Sequence, residues 1–337
     1  MAKKSYFLPA LSEFFSTYLP KTKGLSDNTI RSYKQVFRLL LDYIHIKHGI
    51  RPEKIEFRHF KKGMVEAWLD WLCTERNCSA KTRNHRLSVL VSFARFALRR
   101  DFSGALDFCS EVEHLPKKKE AKRTEVIYLT REEMSILLRL PNSNTKIGKR
   151  NKVILSTLYA SGARAQELCD VTVGDVRFGR TTTMTLRGKG DKTRTIVIPE
   201  QCAMLLKAHI EQNRIKSSVK RHLFSSQTNE HMTISCLEAI VKKYVHLAKK
   251  LRSDLFRHHY TPHSFRHSIS MHMLESGIPL PAIKTFLGHV SISSTLVYAS
   301  ANYEMVNKYL RDKNPYAEQD TPFDEQVDGG LIPHFLF

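Results

Sequence analysis

The sequence is short of several things, and each shortage removes a class of protein. It carries six cysteines in 337 residues (Cys73, Cys78, Cys109, Cys169, Cys202 and Cys236), with no Cys-x-x-Cys pair. Thiols scattered in this way give neither a disulfide framework nor a zinc site, and buried reduced thiols are expected. No apolar run approaches the roughly 18 residues of a spanning helix. The start, Met1-Ala-Lys-Lys-Ser-Tyr-Phe-Leu-Pro9, lacks the long apolar stretch of a signal peptide. A soluble, cytoplasmic protein with no membrane partner is expected. There is no Gly-x-x-x-x-Gly-Lys-Ser/Thr loop for a nucleotide, nor a compact carboxylate set of the kind a two-metal nuclease uses. His258 and His259 are adjacent, so on a helix they point to different faces. No metal and no cofactor are therefore expected.

Acids are the most telling shortage. Asp and Glu number 33 against 54 Lys and Arg, a net charge of +21, and the sequence pI is near 9.8. Such a balance points to a polyanion, most often nucleic acid, with double-stranded DNA as the expected partner. Apolar residues make up 42% of the chain, enough for real cores, and the length suits two domains. The charge divides into +12 over residues 1–124, +14 over 125–314 and −5 over 315–337, the last stretch having no Lys or Arg.

The clearest break is Leu115-Pro-Lys-Lys-Lys-Glu-Ala-Lys-Arg-Thr124, polar and rich in lysine. Composition allows either a strap along phosphates, through Lys117, Lys118 and Lys119, or a solvated connector. The expected division is a helical DNA-binding domain over 1–114, a basic linker over 115–127, a second domain over 128–314 and a tail over 315–337.

In the first part the apolar residues recur at helical steps. Leu8 to Tyr18 forms a first helix, and Ser26-Asp27 caps a run bearing Ile30, Tyr33, Phe37, Leu40, Leu41 and Ile44. A third run holds Met64, Trp68, Leu69 and Leu72. Ser79 caps a fourth, with Leu87, Leu90, Val91, Ala94 and Leu98 on one face, and the spacing predicts a four-helix bundle. Lys81, Arg83, Arg86, Arg95 and Arg99 are assigned to the opposite face of that last helix. They suit a DNA backbone or a merely solvated face. After the linker, Thr130-Arg-Glu-Glu133 opens a helix as a capping box, and Lys152 to Ser161 forms another that ends at Gly162. The β-branched runs 181–186 and 193–198 flank Gly188-Lys-Gly-Asp191 and predict a hairpin. From Glu200 to Leu310 the pattern is mostly helical. The fold class is mainly α, a four-helix bundle followed by an α+β domain with a small antiparallel sheet.

Three segments suit chemistry on a phosphodiester. In Leu158-Tyr-Ala-Ser-Gly-Ala-Arg164-Ala-Gln-Glu-Leu168, an arginine at a helix mouth can present a planar fork to a phosphate. In Thr261-Pro-His263-Ser-Phe-Arg266-His267 an imidazole and a guanidinium three residues apart share a helix face, with Pro262 fixing the helix start. In Leu287-Gly-His289-Val-Ser-Ile-Ser-Ser-Thr-Leu-Val-Tyr298 a second histidine precedes a tyrosine that could take up a phosphoryl group as a covalent ester.

This ordered set resembles the tyrosine recombinase family (phage integrase, Xer, Cre). The matches are Gly-Ala-Arg164-Ala-Gln-Glu-Leu, Gly-Lys189-Gly-Asp-Lys192-Thr-Arg, Pro-His263-Ser-Phe-Arg266-His and Leu-Gly-His289 with Tyr298. The first part resembles that family's SAM-like core-binding bundle, through Ser26-Asp-Asn-Thr-Ile-Arg-Ser-Tyr33 and Ala80-Lys-Thr-Arg-Asn-His-Arg-Leu-Ser88. The likeness covers about residues 8–312.

The resemblance implies a site-specific recombinase acting as a homotetramer on DNA through a Holliday junction, with or without accessory proteins or a partner recombinase. It implies Tyr298 as the nucleophile, Arg164 and Arg266 on the non-bridging oxygens, and Lys189 protonating the leaving 5′-oxygen, with Lys192 the rival. His263 would assist proton transfer, His289 would bond the phosphate, and Glu167 and Asp175 would support the first arginine and its loop. A mobile-element integrase or transposase is favoured over a Xer-like resolvase, because the chain runs past Lys313 to an apolar end. An extra amino-terminal arm-binding domain is not expected. A type IB topoisomerase and a catalytically dead DNA-binding relative are the remaining alternatives. The acidic tail is expected to dock on a neighbouring protomer or to autoinhibit.

Overall fold

The computed structural model describes residues 6–60, 63–120, 126–188, 192–215, 217–226 and 229–288. Lys189, His289, Tyr298 and the 315–337 tail lie outside the described residues. The chain forms two compact units, Met1–Lys122 and Arg123–Phe337. No helix among the described residues is long and apolar enough to cross a membrane.

The first unit contains the four expected helices. They are α1 (Phe7–Glu13, continuing as wider π-helical turns over Phe14–Thr22), α2 (Asp27–His48), α3 (Met64–Thr74) and α4 (Ala80–Arg100). Ser79 caps α4 by accepting from the Thr82 backbone N–H at 3.2 Å. Ser26 stands at the start of α2, but its hydroxyl pairs with that of Thr29 rather than with a backbone N–H. A fifth helix follows, α5 (Phe102–His114), which periodicity did not announce. It starts where the Asp101 carboxylate accepts from the Gly104 N–H, and it buries Ala105, Phe108 and Val112 while leaving Phe102 and Leu106 exposed.

The core of this unit is aromatic. Phe93 on α4 lies within 5.0–5.6 Å of Phe7, Phe14 and Phe37, all three pairs meeting edge to face. The start of the linker is fastened to the bundle. Arg83 donates to the Pro116 carbonyl at 2.9 Å, and Asn84 exchanges hydrogen bonds with the Lys118 backbone at 2.8 and 3.0 Å.

The second unit opens on α6 (Arg131–Arg139), whose capping box forms as expected, Thr130 and Glu133 each accepting from the other's backbone N–H. Helix α7 (Lys146–Ser161) begins six residues before the apolar run at Lys152, because Thr145 caps it by accepting from Gly148 N–H. The short α8 (Ala165–Asp170) follows, then the antiparallel sheet β1 (Val176–Arg177), β2 (Thr183–Arg187) and β3 (Thr193–Val197). The expected hairpin pairs Thr185 with Thr195, and β1 adds an unforeseen edge strand pairing Val176 with Met184. Helices α9 (Glu200–Gln212), α10 (Ile234–Leu251), α11 (Pro262–Glu275) and α12 (Leu280–Leu287) complete the described part. One apolar core joins α6–α11 to the sheet, and a small cluster of Met271, Leu274, Ile283 and Leu287 packs α11 on α12.

Candidate active site

The site forms where α7 gives way to α8. Gly162 ends α7 in the left-handed region at φ +56, and a Cβ there would lie 3.0 Å from the Phe286 ring and 3.2 Å from Ile269 and Leu287. Glycine is needed on both counts, for the backbone angle and for the close approach to α12. Two residues on, Arg164 takes the extended N-cap position of α8. Its backbone N–H donates to Glu167 Oε2 at 2.9 Å and its Nη1 to Glu167 Oε1 at 2.6 Å. The Arg164 side chain remains 42% exposed, while Glu167 is only 3% exposed. Burial by itself would raise the Glu167 carboxyl. Hydrogen bonds from Arg194 and from the Arg164 backbone, then the charge of Arg194 and a hydrogen bond from the Arg164 side chain, outweigh it and hold the group down at about 2.

Arg266, on the first turns of α11, is almost wholly enclosed. Its Nη1 donates to the Gly162 carbonyl and its Nη2 to the Leu287 carbonyl, both at 2.6 Å. This guanidinium therefore ties the turn before Arg164 to the end of α12. His263 sits one turn earlier, its ring edge-on to His267 at 4.4 Å between centroids. It keeps an exposed edge, yet crowding by the protein, then Arg266 and Arg164, hold its imidazole below the usual range. It is thus neutral near pH 7 and able to accept a proton.

The two glycines that precede Lys189 and His289 reach the same place. A Cβ on Gly188 would be 3.2 Å from Glu167 Oε1 and 4.0 Å from Arg164 Nη1. Gly288, at φ +64, would place its Cβ 2.9 Å from Arg194 Cδ. The described residues thus bring Arg164, Glu167, Arg194, Gly188 and Gly288 together, and Arg266 is tied to this group through Gly162 and Leu287.

Several sequence assignments change. Asp175 does not bond Arg164; it accepts from the Thr172 N–H and hydroxyl at 2.9 and 2.7 Å and from Arg187 at 2.8 Å, so it braces the turn into β1 and β2. The single basic face of α4 does not exist. At about 100° per residue Arg83 and Arg86 fall on the far side from Lys81, Arg95 and Arg99. Arg83 is 2% exposed and committed to the linker. Arg86 donates to Cys78 Sγ, Arg95 pairs with Glu113 at 2.5 Å, and Arg99 donates to the Tyr18 hydroxyl at 2.7 Å. Lys81, Lys117, Lys119 and Lys192 are exposed, whereas Lys118, also exposed, pairs with Asp70. Cys109, Cys169 and Cys202 are buried and the other three cysteines half-buried, all free thiols. Burial pushes Cys169 up to about 12 and Cys202 up to about 11, which keeps both protonated.

The residue that sequence reasoning passed over is Arg194. The signal was present in Thr193-Arg-Thr-Ile-Val, where strand alternation puts Arg194 on the face of buried Ile196 and so demands a buried carboxylate.

A helical first unit, a helix-rich second unit with a small sheet, and a cluster of arginines around one carboxylate define a class. The phage integrase family model matches residues 128–305, and the model for the phage integrase N-terminal SAM-like domain matches residues 13–101. The chain belongs to the phage integrase family. It is a tyrosine recombinase, an enzyme of DNA strand cleavage and religation. Among its relatives, the chain is 28% identical over 326 residues to the putative integrase/recombinase y4rC of Sinorhizobium fredii, covering 96% of each. It is likewise 28% identical to the tyrosine recombinase XerD of Rickettsia prowazekii, over 89% of this chain and 95% of that one. Its fold is similar to that of the XerH recombinase bound to a palindromic difH substrate, with a TM-score of 0.68, 18% identity, and 92% and 90% of the two chains covered. It is also similar to the Tn1549 transposon integrase in complex with a circular intermediate DNA, with a TM-score of 0.63, 21% identity and coverage of 88% and 98%.

Proposed function

We propose that this protein is a site-specific recombinase that cuts and rejoins duplex DNA through a 3′-phosphotyrosine on Tyr298. The observation that carries the reading is the gathering of Arg164, Gly188 and Gly288 around Glu167 and Arg194, with Arg266 bonded to the neighbouring turns. Arg164 and Arg266 bind the non-bridging oxygens and offset the charge that builds on them in the transition state. The Tyr298 oxygen attacks phosphorus while the bond to the 5′-oxygen breaks. Neutral His263 assists removal of the tyrosine proton, and Lys189, rather than its rival Lys192, protonates the departing 5′-oxygen. His289 bonds the phosphate. The ester keeps the energy of the broken bond, so the 5′-hydroxyl of a second strand can attack it and reseal the backbone without a nucleotide or metal.

In this reading the functional form is a homotetramer that synapses two DNA sites and passes through a Holliday junction. The helical unit, the 115–127 linker and the exposed lysines Lys81, Lys117, Lys119 and Lys192 hold the duplex. A role in a mobile element, as integrase or transposase, is supported by the y4rC relative over nearly its whole length and by the fold shared with a transposon integrase. The XerD relative at the same identity favours a second reading, resolution of chromosome or plasmid dimers. Inverted repeats or attachment junctions flanking the gene decide between them.

The mechanism is tested with a nicked suicide substrate on a denaturing gel. Tyr298→Phe is expected to bind DNA and form no covalent adduct. A surviving adduct would move the nucleophile to another tyrosine, Tyr303 or Tyr309 first.

A further inference from the structure

Among the residues given no role so far, Arg194 has the most directed contacts at the site. Its Nη1 and Nη2 form a fork on Glu167 Oε1 and Oε2 at 3.0 and 2.7 Å. That same carboxylate accepts from Arg164 Nη1 and from the Arg164 backbone N–H. The third nitrogen, Nε, donates to the Phe286 carbonyl in the last turn of α12 at 3.0 Å. Just beyond, Gly288 turns left-handed over the Arg194 side chain, its would-be Cβ 2.9 Å from Cδ. Arg194 is itself only 12% exposed. From β3, then, one guanidinium reaches both the carboxylate that holds Arg164 and the turn that leads into His289.

Charge makes the arrangement more than a brace. One buried carboxylate facing Arg164 alone would be neutralised by it and would draw its fork inward. With Arg194 present, Glu167 is already satisfied on both oxygens, and the pair of guanidiniums keeps a net positive charge beside Gly188. A lysine cannot substitute, because its point charge cannot fork a carboxylate and reach a carbonyl at the same time.

We propose that Arg194 is a positioning residue for strand cleavage, aiming the Arg164 guanidinium through Glu167 and fixing the end of α12 through the Phe286 carbonyl. The inference rests on the reading of Arg164 as a phosphate-binding residue.

The test is single-turnover adduct formation by the full chain on a suicide substrate at saturating protein, with gel-shift affinity and melting temperature measured alongside. Arg194→Lys is expected to slow cleavage about 10-fold and Arg194→Met about 100-fold, the scale of a small misplacement of a reacting group. DNA affinity should be unchanged, and the lysine variant should melt with the wild type. Glu167→Gln should also slow cleavage, and the double variant with Arg194→Met should be no slower than the slower single, because both act through one contact. Losses that multiply in the double variant, or cleavage and affinity falling together, overturn the proposal. Arg164→Ala separates its failure from that of the underlying reading. If Arg164→Ala cleaves normally, both fall. If it is crippled while both Arg194 variants cleave like wild type, only the positioning role falls.

Discussion

The two units hold themselves together by different physics. Among the described residues the helical unit buries two polar side chains, Arg83 and Asn84, and both turn to the linker backbone. The rest of its core is aliphatic and aromatic, centred on Phe93. Among its described residues the second unit buries twelve polar or charged side chains, Glu167 and Arg266 among them. Apolar packing is non-directional and tolerates small shifts, whereas a buried charge must meet its partner within a narrow range of distance and angle. In the second unit a substitution can therefore affect chemistry and stability separately. In the first a core substitution should affect stability and leave the chemistry untouched.

The largest effects should appear at the two arginines, and they should differ in kind. Arg164→Ala and Arg266→Ala are each expected to lower adduct formation ~100-fold or more, the loss typical of removing a preorganised charge donor. Arg164 is partly open to solvent, so its variant should melt close to the wild type. Arg266→Ala strips the Gly162 and Leu287 carbonyls of their buried donor, which should cost about 1–3 kcal/mol of stability as well. Identical melting of the two variants would erase the contrast between an exposed and an enclosed arginine.

His263→Gln should follow, at about 100-fold in cleavage, if its neutral ring takes the tyrosine proton. Its folded value lies below the ordinary 6.5, so the neutral ring persists as pH falls through 6.5 and is lost only below it. The acid limb of the cleavage profile should therefore lie below pH 6.5, and Arg164→Ala, which removes one of the charges responsible, should move that limb upward. A limb at or above 6.5 in the wild type would sink this assignment.

How much of this was legible follows from locality. Arg164, His263 and Arg266 could be picked out because each sits in a short run whose spacing fixes its place on a turn or a helix face. The hairpin was legible from Gly188-Lys-Gly-Asp191 between two β-branched runs. Helix α5 was not, since Gly104 and the exposed Phe102 and Leu106 blur its apolar stripe, and the two residues of β1 are too few to signal anything. Arg83 failed for a different reason. Nothing near it in sequence announces that Pro116, 33 residues on, brings it a carbonyl. Arg194 lies between these cases, since alternation placed it inward but could not name Glu167 and Phe286 as its partners.

Glu167 allows a measurement of stability that is independent of chemistry. Its folded value, about 2, is depressed, so the stabilisation is complete above the ordinary value of 4.5 and is lost as pH falls from there toward 2. It should amount to about 3 kcal/mol at neutral pH. Melting curves of wild type and Glu167→Gln should converge as the pH falls through that window; parallel curves would show that the carboxylate is not held low. Arg83→Met is expected to cost about 1–3 kcal/mol, since it leaves the Pro116 carbonyl and part of the linker unfastened. Adduct yield at saturating DNA should not change, and a loss of cleavage as large as that of Arg164→Ala would place Arg83 in the chemistry after all.

The smallest effects belong to the exposed lysines. Lys81, Lys117 and Lys119 have open side chains, and none of the hydrogen bonds or ion pairs among the described residues holds them. Removing a solvated cation changes stability by less than about 0.5 kcal/mol. If these lysines lie along phosphates, each Lys→Ala change should weaken binding to every DNA sequence alike and reduce the dependence of log affinity on log salt by about one. Lys118, already paired with Asp70, should matter less than its two neighbours, because its charge is partly answered within the bundle. Affinity measured over a salt series for Lys117→Ala, Lys118→Ala and Lys119→Ala tests the ordering directly. A salt slope unchanged in all three variants would make this stretch a solvated connector, and a slope that falls most for Lys118→Ala would mean its pairing with Asp70 gives way to DNA.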